Sequence, residues 1–348
     1  MPEIFIMVGT GGVGKTSVSA ALAYSMATKG KKTLVMTIDP SQRLKTTLNL
    51  DKQDFHEITS ADFKNGGQLF ACIIDAKKTF DEFVLRTAEN EQQVKKLFEN
   101  GIYQQLSTQL AQSQDFTSLE KLLFFIEEGK YDVIILDTPP SQHTIDFLNS
   151  PQKLAALLDE KVMSWISDET ENKSFVGRII NSGTKRVFGI LEQLTGSMFL
   201  KQLRQFFAVI QNQHRIIKDR ILKTEKILLD PATTYILVSA HDLVKIKESK
   251  YLVSELNKMH IKMERLILNR FFPEWLLMDN PTLPVNPELE SLSQKFTLYY
   301  RNRQASQKLW SSSGFTKQIY LPDLPDNISD LEGVKKLSII INNYENFF

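Results

Sequence analysis

The sequence predicts an α/β fold: a mostly parallel sheet with helices on both faces, interrupted by a helical insertion. Short β-rich runs recur between helix-length segments along the chain, the alternation expected of parallel strands joined by crossover helices. Several runs are near-continuous hydrophobics, as strands buried on both faces are. The first run passes through a glycine-rich loop directly into an Ala- and Leu-rich segment.

In chain order, Ile4–Val8 supplies the first strand and Ser17–Met26 the helix that follows it. Further strands are expected at Thr33–Ile38, Leu69–Ile74, Tyr131–Leu136, Thr234–Ser239, Arg265–Leu268 and Gln318–Leu321. Helices are expected at Phe80–Phe98, Ile102–Gln112 and Ser118–Glu128. From Pro151 to about Asp230 no strand pattern occurs, and Gly177, Gly183, Gly189 and Gly196 punctuate helical patterns. Within Met198–Leu222, Phe199, Leu203, Phe206, Phe207, Ile210, Ile217 and Ile221 recur at three- and four-residue spacing. The division expected is a core of 1–150 and 231–348 with an insertion of 151–230. Two readings of the insertion's apolar stripe stand: helices packing on the sheet, or a groove for an apolar protein client.

Composition narrows the function classes. A chain of 348 residues with 24% charged side chains is globular, and large for one compact domain. A net charge of +1 gives no global attraction to nucleic acid or anionic lipid, so no nucleic-acid partner is expected and any membrane contact is indirect. No secretory leader pattern and no apolar run of spanning length occur, and a cytoplasmic protein is expected. Cys72 is the single cysteine, which excludes an internal disulfide and a multi-cysteine metal site within one chain.

Three loops carry the chemistry. Gly9-Thr10-Gly11-Gly12-Val13-Gly14-Lys15-Thr16 has the G-x-x-x-x-G-K-[ST] spacing between strand and helix. In such a loop backbone N–H groups close around phosphate oxygens at a helix N-terminus. Gly11, Gly12, Val13, Gly14 and Ser17 are then nucleotide contacts, Lys15 reaches the β/γ-phosphates, and Thr16 ligates Mg²⁺. Asp39, past the strand Thr33–Ile38, has two readings. It orients an attacking water or binds Mg²⁺ through water, or Asp39-Pro40 is only a turn. Arg43 and Lys45, which follow it, read alone as solvated charges. Asp137 caps the apolar run Val133–Leu136 in the Walker B pattern, placing it opposite Thr16 in the Mg²⁺ hydration shell. Ser141-Gln142-His143-Thr144 then reads as a γ-phosphate-sensing stretch, with His143 equally a packing or capping residue. Late in the chain, Asn269 follows a strand where its side chain can meet a purine edge. The Asn-Lys-x-Asp guanine pattern is broken by Arg270 and Phe272, which favours ATP.

With these loops in place, the chain resembles the ArsA/GET ATPases, a branch of the MinD/ParA-like P-loop NTPases of SIMIBI type. The resemblance rests on the phosphate loop, Thr37-Ile38-Asp39-Pro40, Asp137-Thr138-Pro139-Pro140-Ser141-Gln142-His143-Thr144, Leu268-Asn269-Arg270 and Leu321-Pro322-Asp323-Leu324-Pro325, in family order. It implies a Mg²⁺-dependent ATPase closing as a dimer around two nucleotides, with Lys15 and Asp39 catalytic and Thr16, Asp39 and Asp137 at the metal. It also implies that Asn269, Pro322 and Leu324 surround the adenine and that the insertion holds client-binding helices. The departures are as informative. Neither an arsenite-binding cysteine cluster nor a zinc-bridging C-x-x-C pair exists in this sequence. Ser41-Gln42-Arg43-Leu44-Lys45-Thr46 departs from the family's A-H-N-L-S-D. Thr10 stands where the family carries a lysine that crosses the dimer to the opposite nucleotide, a role for which Arg43 or Lys45 is a candidate substitute.

The leading expectation is therefore an ATP-binding, weakly hydrolysing switch for a protein client. It acts as a homodimer or as a heterodimer with a lysine-bearing paralogue. The alternatives are a spatial organiser of the MinD/ParA kind and a nonhydrolytic nucleotide-bound scaffold.

Overall fold

The structure, a computed structural model, describes residues 1–38, 43–50, 55–87, 98–99, 103, 114–157, 215–271, 287–305, 309–310, 314–324, 326 and 328–347. The strands are β1 (Glu3–Gly9), β2 (Lys32–Thr37), β3 (Phe55–Ile58), β4 (Gln68–Ile73), β5 (Val133–Asp137), β6 (Thr233–Ser239), β7 (Arg265–Phe271) and β8 (Lys317–Pro322). The helices are α1 (Lys15–Thr28), α2 (Arg43–Thr47), α3 (Ala76–Thr87), α4 (Gln114–Glu128), α5 (Ser141–Leu157), α6 (215–228), α7 (Leu243–Lys258), α8 (Pro287–Ala305) and α9 (Leu331–Asn342).

The strands form one eight-stranded sheet in the order β3-β4-β2-β5-β1-β6-β7-β8. Every pairing is parallel except β3 on β4. This is the α/β P-loop architecture expected from the sequence. The chain runs to one side of β1 for β2 and β4, then to the other for β6 to β8, so β1 sits at a topological switch point, where α/β sheets bind ligands at their carboxyl ends.

The seven expected strands are all present, and β3 is the addition. Its sequence, Phe-His-Glu-Ile, is short and carries a charge, as an edge strand does. Aromatic packing holds it in place. Phe55 stacks on Phe70 at 5.7 Å and on Phe125 at 6.0 Å, while Tyr131 meets Phe70 and Phe125 edge-on. Burial there pushes the Tyr131 hydroxyl pKa up.

The core explains why α1 has no amphipathic stripe: Val18, Ala20, Ala21, Leu22, Ala23 and Ala27 are all buried, so it is covered nearly all round. The helix α9, capped by Asp330 accepting from the Gly333 N–H at 2.8 Å, places Val334, Leu337 and Ile341 in the same core cluster. Beside it, Lys335 bridges to Asp62, whose carboxylate also accepts from Tyr24 of α1.

The chain divides into two compact units: 1–74, 125–148 and 227–348 in the first, 75–124 and 149–226 in the second. The division expected from sequence, at 150 and 231, left 75–124 with the core. Within the second unit Glu120 is buried, and Arg220 donates to it through Nε and Nη2, with Nη2 at 2.7 Å. Arg86 adds a longer contact at 3.4 Å. A buried carboxylate held this way needs both guanidinium groups to offset its desolvation. Residues 158–214 of the expected insertion lie outside the described residues, and with them Phe199, Leu203, Phe206, Phe207 and Ile210 of its stripe; so does the expected helix Ile102–Gln112 apart from Tyr103. Among the described residues no helix is long and apolar enough to cross a membrane.

Candidate functional site: a phosphate loop facing a buried aspartate

The loop after β1 turns into α1 through Gly14, which caps the helix at φ 87°. An L-residue rarely adopts that conformation, and a Cβ there would also collide with the Asn269 amide. At the other end of the loop a Cβ on Gly9 would run into the Val238 carbonyl of β6. Both glycines are thus demanded by packing as well as by phosphate access.

Lys15 opens α1 and folds back over the loop, donating to the Gly9 carbonyl at 2.9 Å and the Thr10 carbonyl at 3.1 Å. Its ammonium is thereby fixed at the loop's neck, where phosphates held by the loop's N–H groups would lie. Thr16 Oγ1 donates to Asp137 Oδ2 at 2.7 Å. Thr37 Oγ1 donates to the same oxygen at 3.1 Å, and Ser19 Oγ lies 3.5 Å from Oδ1. The carboxylate is fully buried at the end of β5, and these hydroxyls offset its desolvation. Parallel register produces the alignment, because Met7 of β1 and Thr37 of β2 both stand opposite Asp137.

A hydroxyl backed by a carboxylate at the mouth of a phosphate loop suits Mg²⁺, a hard cation that keeps several waters and takes few protein oxygens. Thr16 would be the direct ligand and Asp137 would act through water. No cluster of three His, Cys, Asp or Glu side chains suited to a metal occurs among the described residues.

The loop opens on a cleft of about 310 Å³ lined by Gly11, Gly12, Gly14, Lys15, Thr16, Ser17, Arg43, Thr46, Thr47, Pro140, Ile328 and Ser329. Of the residues expected from sequence, Gly11, Gly12, Gly14, Lys15, Thr16 and Ser17 are brought together here, with Asp137 beneath. Val13 faces the core and offers its carbonyl inward. Asp39 lies outside the described residues, as do Pro40, Ser41 and Gln42. His143 is exposed on α5, while Thr138 and Thr144 tie the start of that helix to the Met7 and Pro139 carbonyls.

The late loops differ more from expectation. Asn269 is buried and its Nδ2 donates to the Val13 carbonyl at 2.9 Å, bracing the phosphate loop from β7. A β-bulge aims it there: Leu268 pairs with Tyr320 and Phe271 with Pro322, leaving two residues of β7 against one of β8. Arg270 absorbs the bulge with φ 54°. Pro322 and Leu324 are not among the cleft's lining residues. Leu324 packs against the hydrophobic core, and Ile328 and Ser329, four and five residues on, line the cleft instead. Sequence reading missed Thr46, Thr47, Pro140, Ile328 and Ser329. Their signal was only proximity to the loops that it did find.

Thr10 is fully buried, does not line the cleft, and its hydroxyl has no hydrogen-bond partner among the described residues.

Comparison with known proteins places the chain among ATPases. The model of a family described as Anion-transporting ATPase matches residues 2–282. A protein of Paramecium tetraurelia named ATPase ASNA1 homolog 2 is 29% identical over 280 residues, covering 76% of this chain and 75% of its own length. ATPase GET3A of Arabidopsis thaliana is 24% identical, covering 95% of this chain and 81% of its own. Putative arsenical pump-driving ATPase 1 of Aquifex aeolicus is 24% identical, covering 78% and 64%.

Proposed function

This chain belongs to the anion-transporting ATPase family, and from that premise we propose that it is an ATP-binding, slowly hydrolysing switch that controls a protein client. The observation that carries the ATP reading is the Thr16–Asp137 bond at 2.7 Å behind a lysine held over the loop's neck. In phosphoryl transfer the protein mainly positions groups and neutralises charge. Loop N–H groups and Lys15 would hold the β- and γ-phosphates, and Thr16 with Asp137 would hold Mg²⁺, which when bound supplies charge neutralisation between those phosphates. Asp39 would orient the water.

Nucleotide closure would join two subunits, as a homodimer or with a lysine-bearing paralogue, and a second subunit fits the resemblance to ATPases that close as dimers. The buried Thr10 extends no cation out of the loop, so turnover of the isolated chain would be slow. The client would be apolar protein, and the location cytoplasmic. A membrane-cycling organiser fits less well, because α9 buries its apolar face in the core instead of presenting it.

The test is ATP turnover and oligomeric state of the purified chain, with ADP and Mg²⁺–fluoroaluminate added. Slow Mg²⁺-dependent turnover and a dimer in the trapped state are expected. A monomer in every nucleotide state, with no partner co-purifying, would overturn the dimer reading, and failure to bind ATP would overturn the whole.

A further inference from the structure

Among the described residues, the walls of the phosphate cleft carry two cations, Lys15 and Arg43, and no carboxylate. They are differently employed. The Lys15 ammonium is engaged by the Gly9 and Thr10 carbonyls. Arg43 is exposed and makes no ion pair among the described residues. A surface arginine is ordinarily a solvated charge, but this one springs from a backbone position held at the cleft's edge. It is the first residue of α2, and the next, Leu44, is buried in the core cluster together with Leu48. The Leu48 N–H donates to the Leu44 carbonyl at 3.0 Å, so the short helix is pinned from within. A guanidinium stays charged at any physiological pH and offers a planar fork of donors matched to phosphoryl oxygens.

We propose that Arg43 is a catalytic cation of this site, donating hydrogen bonds to the γ-phosphoryl group as it is transferred. The inference rests on the ATP-hydrolysing reading above. In that reaction the water oxygen bonds to the γ-phosphorus and the bond from that phosphorus to the β–γ bridging oxygen breaks. The bond's electron pair stays with ADP, and the water's proton passes to phosphate or solvent. Arg43 forms no covalent bond. It stabilises the charge spread over the equatorial oxygens in the transition state, through hydrogen bonds that the ground state makes less well.

The test compares wild type, Arg43→Ala and Arg43→Lys for kcat and KM with Mg²⁺-ATP, and for ADP affinity by calorimetry. Arg43→Ala is expected to lower kcat by about 10²–10³-fold, with ADP affinity within about threefold of wild type, as for a group acting only in the transition state. Arg43→Lys should fall between, because it restores the charge without the fork. Unchanged kcat in Arg43→Ala overturns the assignment while leaving ATP hydrolysis standing. A fall in ADP affinity with kcat intact also overturns it, by making Arg43 a ground-state nucleotide contact. A wild-type chain that neither binds nor turns over ATP overturns this inference and the functional reading together.

Discussion

On the phosphate side of the site, Thr16, Thr37 and Ser19 converge on one buried carboxylate, and Lys15 is tied down by two carbonyls. On the side that family resemblance assigns to the base, Asn269 turns inward to the loop, and Pro322 and Leu324 stand apart from the cleft. On the proposed reading, phosphate recognition would be built from backbone conformation and buried hydroxyls fixed by strand register. The other side is a brace whose described contacts are with the loop itself. Rigidity here is concentrated where charge must be placed to within fractions of an ångström.

The largest effect should come from breaking the phosphate side at its centre. Asp137→Ala removes the acceptor of the Thr16 and Thr37 hydroxyl bonds and the carboxylate proposed to hold Mg²⁺ through water. ATP turnover should drop by about 10²–10³-fold, with a stability loss of about 1–3 kcal/mol per stranded hydroxyl, measurable by steady-state kinetics and denaturant titration. Next comes Asn269→Ala. As a brace, Asn269 contributes about 1 kcal/mol through its bond to Val13. Its loss should weaken ATP and GTP binding alike by a few-fold in parallel titrations. A selective loss for ATP would make Asn269 a base reader and bring the two sides closer in kind.

Thr10 sharpens the comparison from within the loop. Thr10 and Thr16 are the same residue type in one loop, yet the hydroxyl of Thr10 is buried with no partner among the described residues and that of Thr16 is bound to Asp137. Thr10→Val should leave turnover unchanged and stability equal or up to about 1 kcal/mol higher, since it removes an unsatisfied buried hydroxyl. The smallest effect lies away from the cleft, at Asp62. Its carboxyl pKa is held below the usual range chiefly by the bond from Lys335, then by Tyr24. The stabilisation is therefore present above the ordinary carboxylate pKa and lost as pH falls through the lowered folded value. Melting temperature against pH should slope slightly less in Asp62→Asn at the acid end, while nucleotide affinity at neutral pH stays put.

How much was legible in the sequence follows the same divide. The phosphate loop, Asp137 and all seven parallel strands could be read because their constraints are local: glycines where no Cβ fits, apolar runs buried on both faces, an acid at a strand end. The strand β3 was missed because its stability comes from the ring cluster of Phe55, Phe70, Phe125 and Tyr131, drawn from distant parts of the chain. The inward turn of Asn269 depends on a two-against-one bulge between β7 and β8, which no pattern within Leu268–Phe271 announces. Thr10 was marked as a departure by its type alone. Its burial is set by tertiary packing, and the place of Arg43 on the cleft wall by the packing of Leu44 and Leu48 in the core.

The most direct test of the phosphate-side assignment is calorimetric titration of ATP, with and without Mg²⁺, into wild type and Thr16→Val. The expected result is that Mg²⁺ tightens ATP binding to wild type, whereas Thr16→Val still binds ATP but with no gain from Mg²⁺. Equal Mg²⁺ enhancement in the two proteins, or none in wild type, would contradict the assignment of Thr16 as the Mg²⁺ ligand.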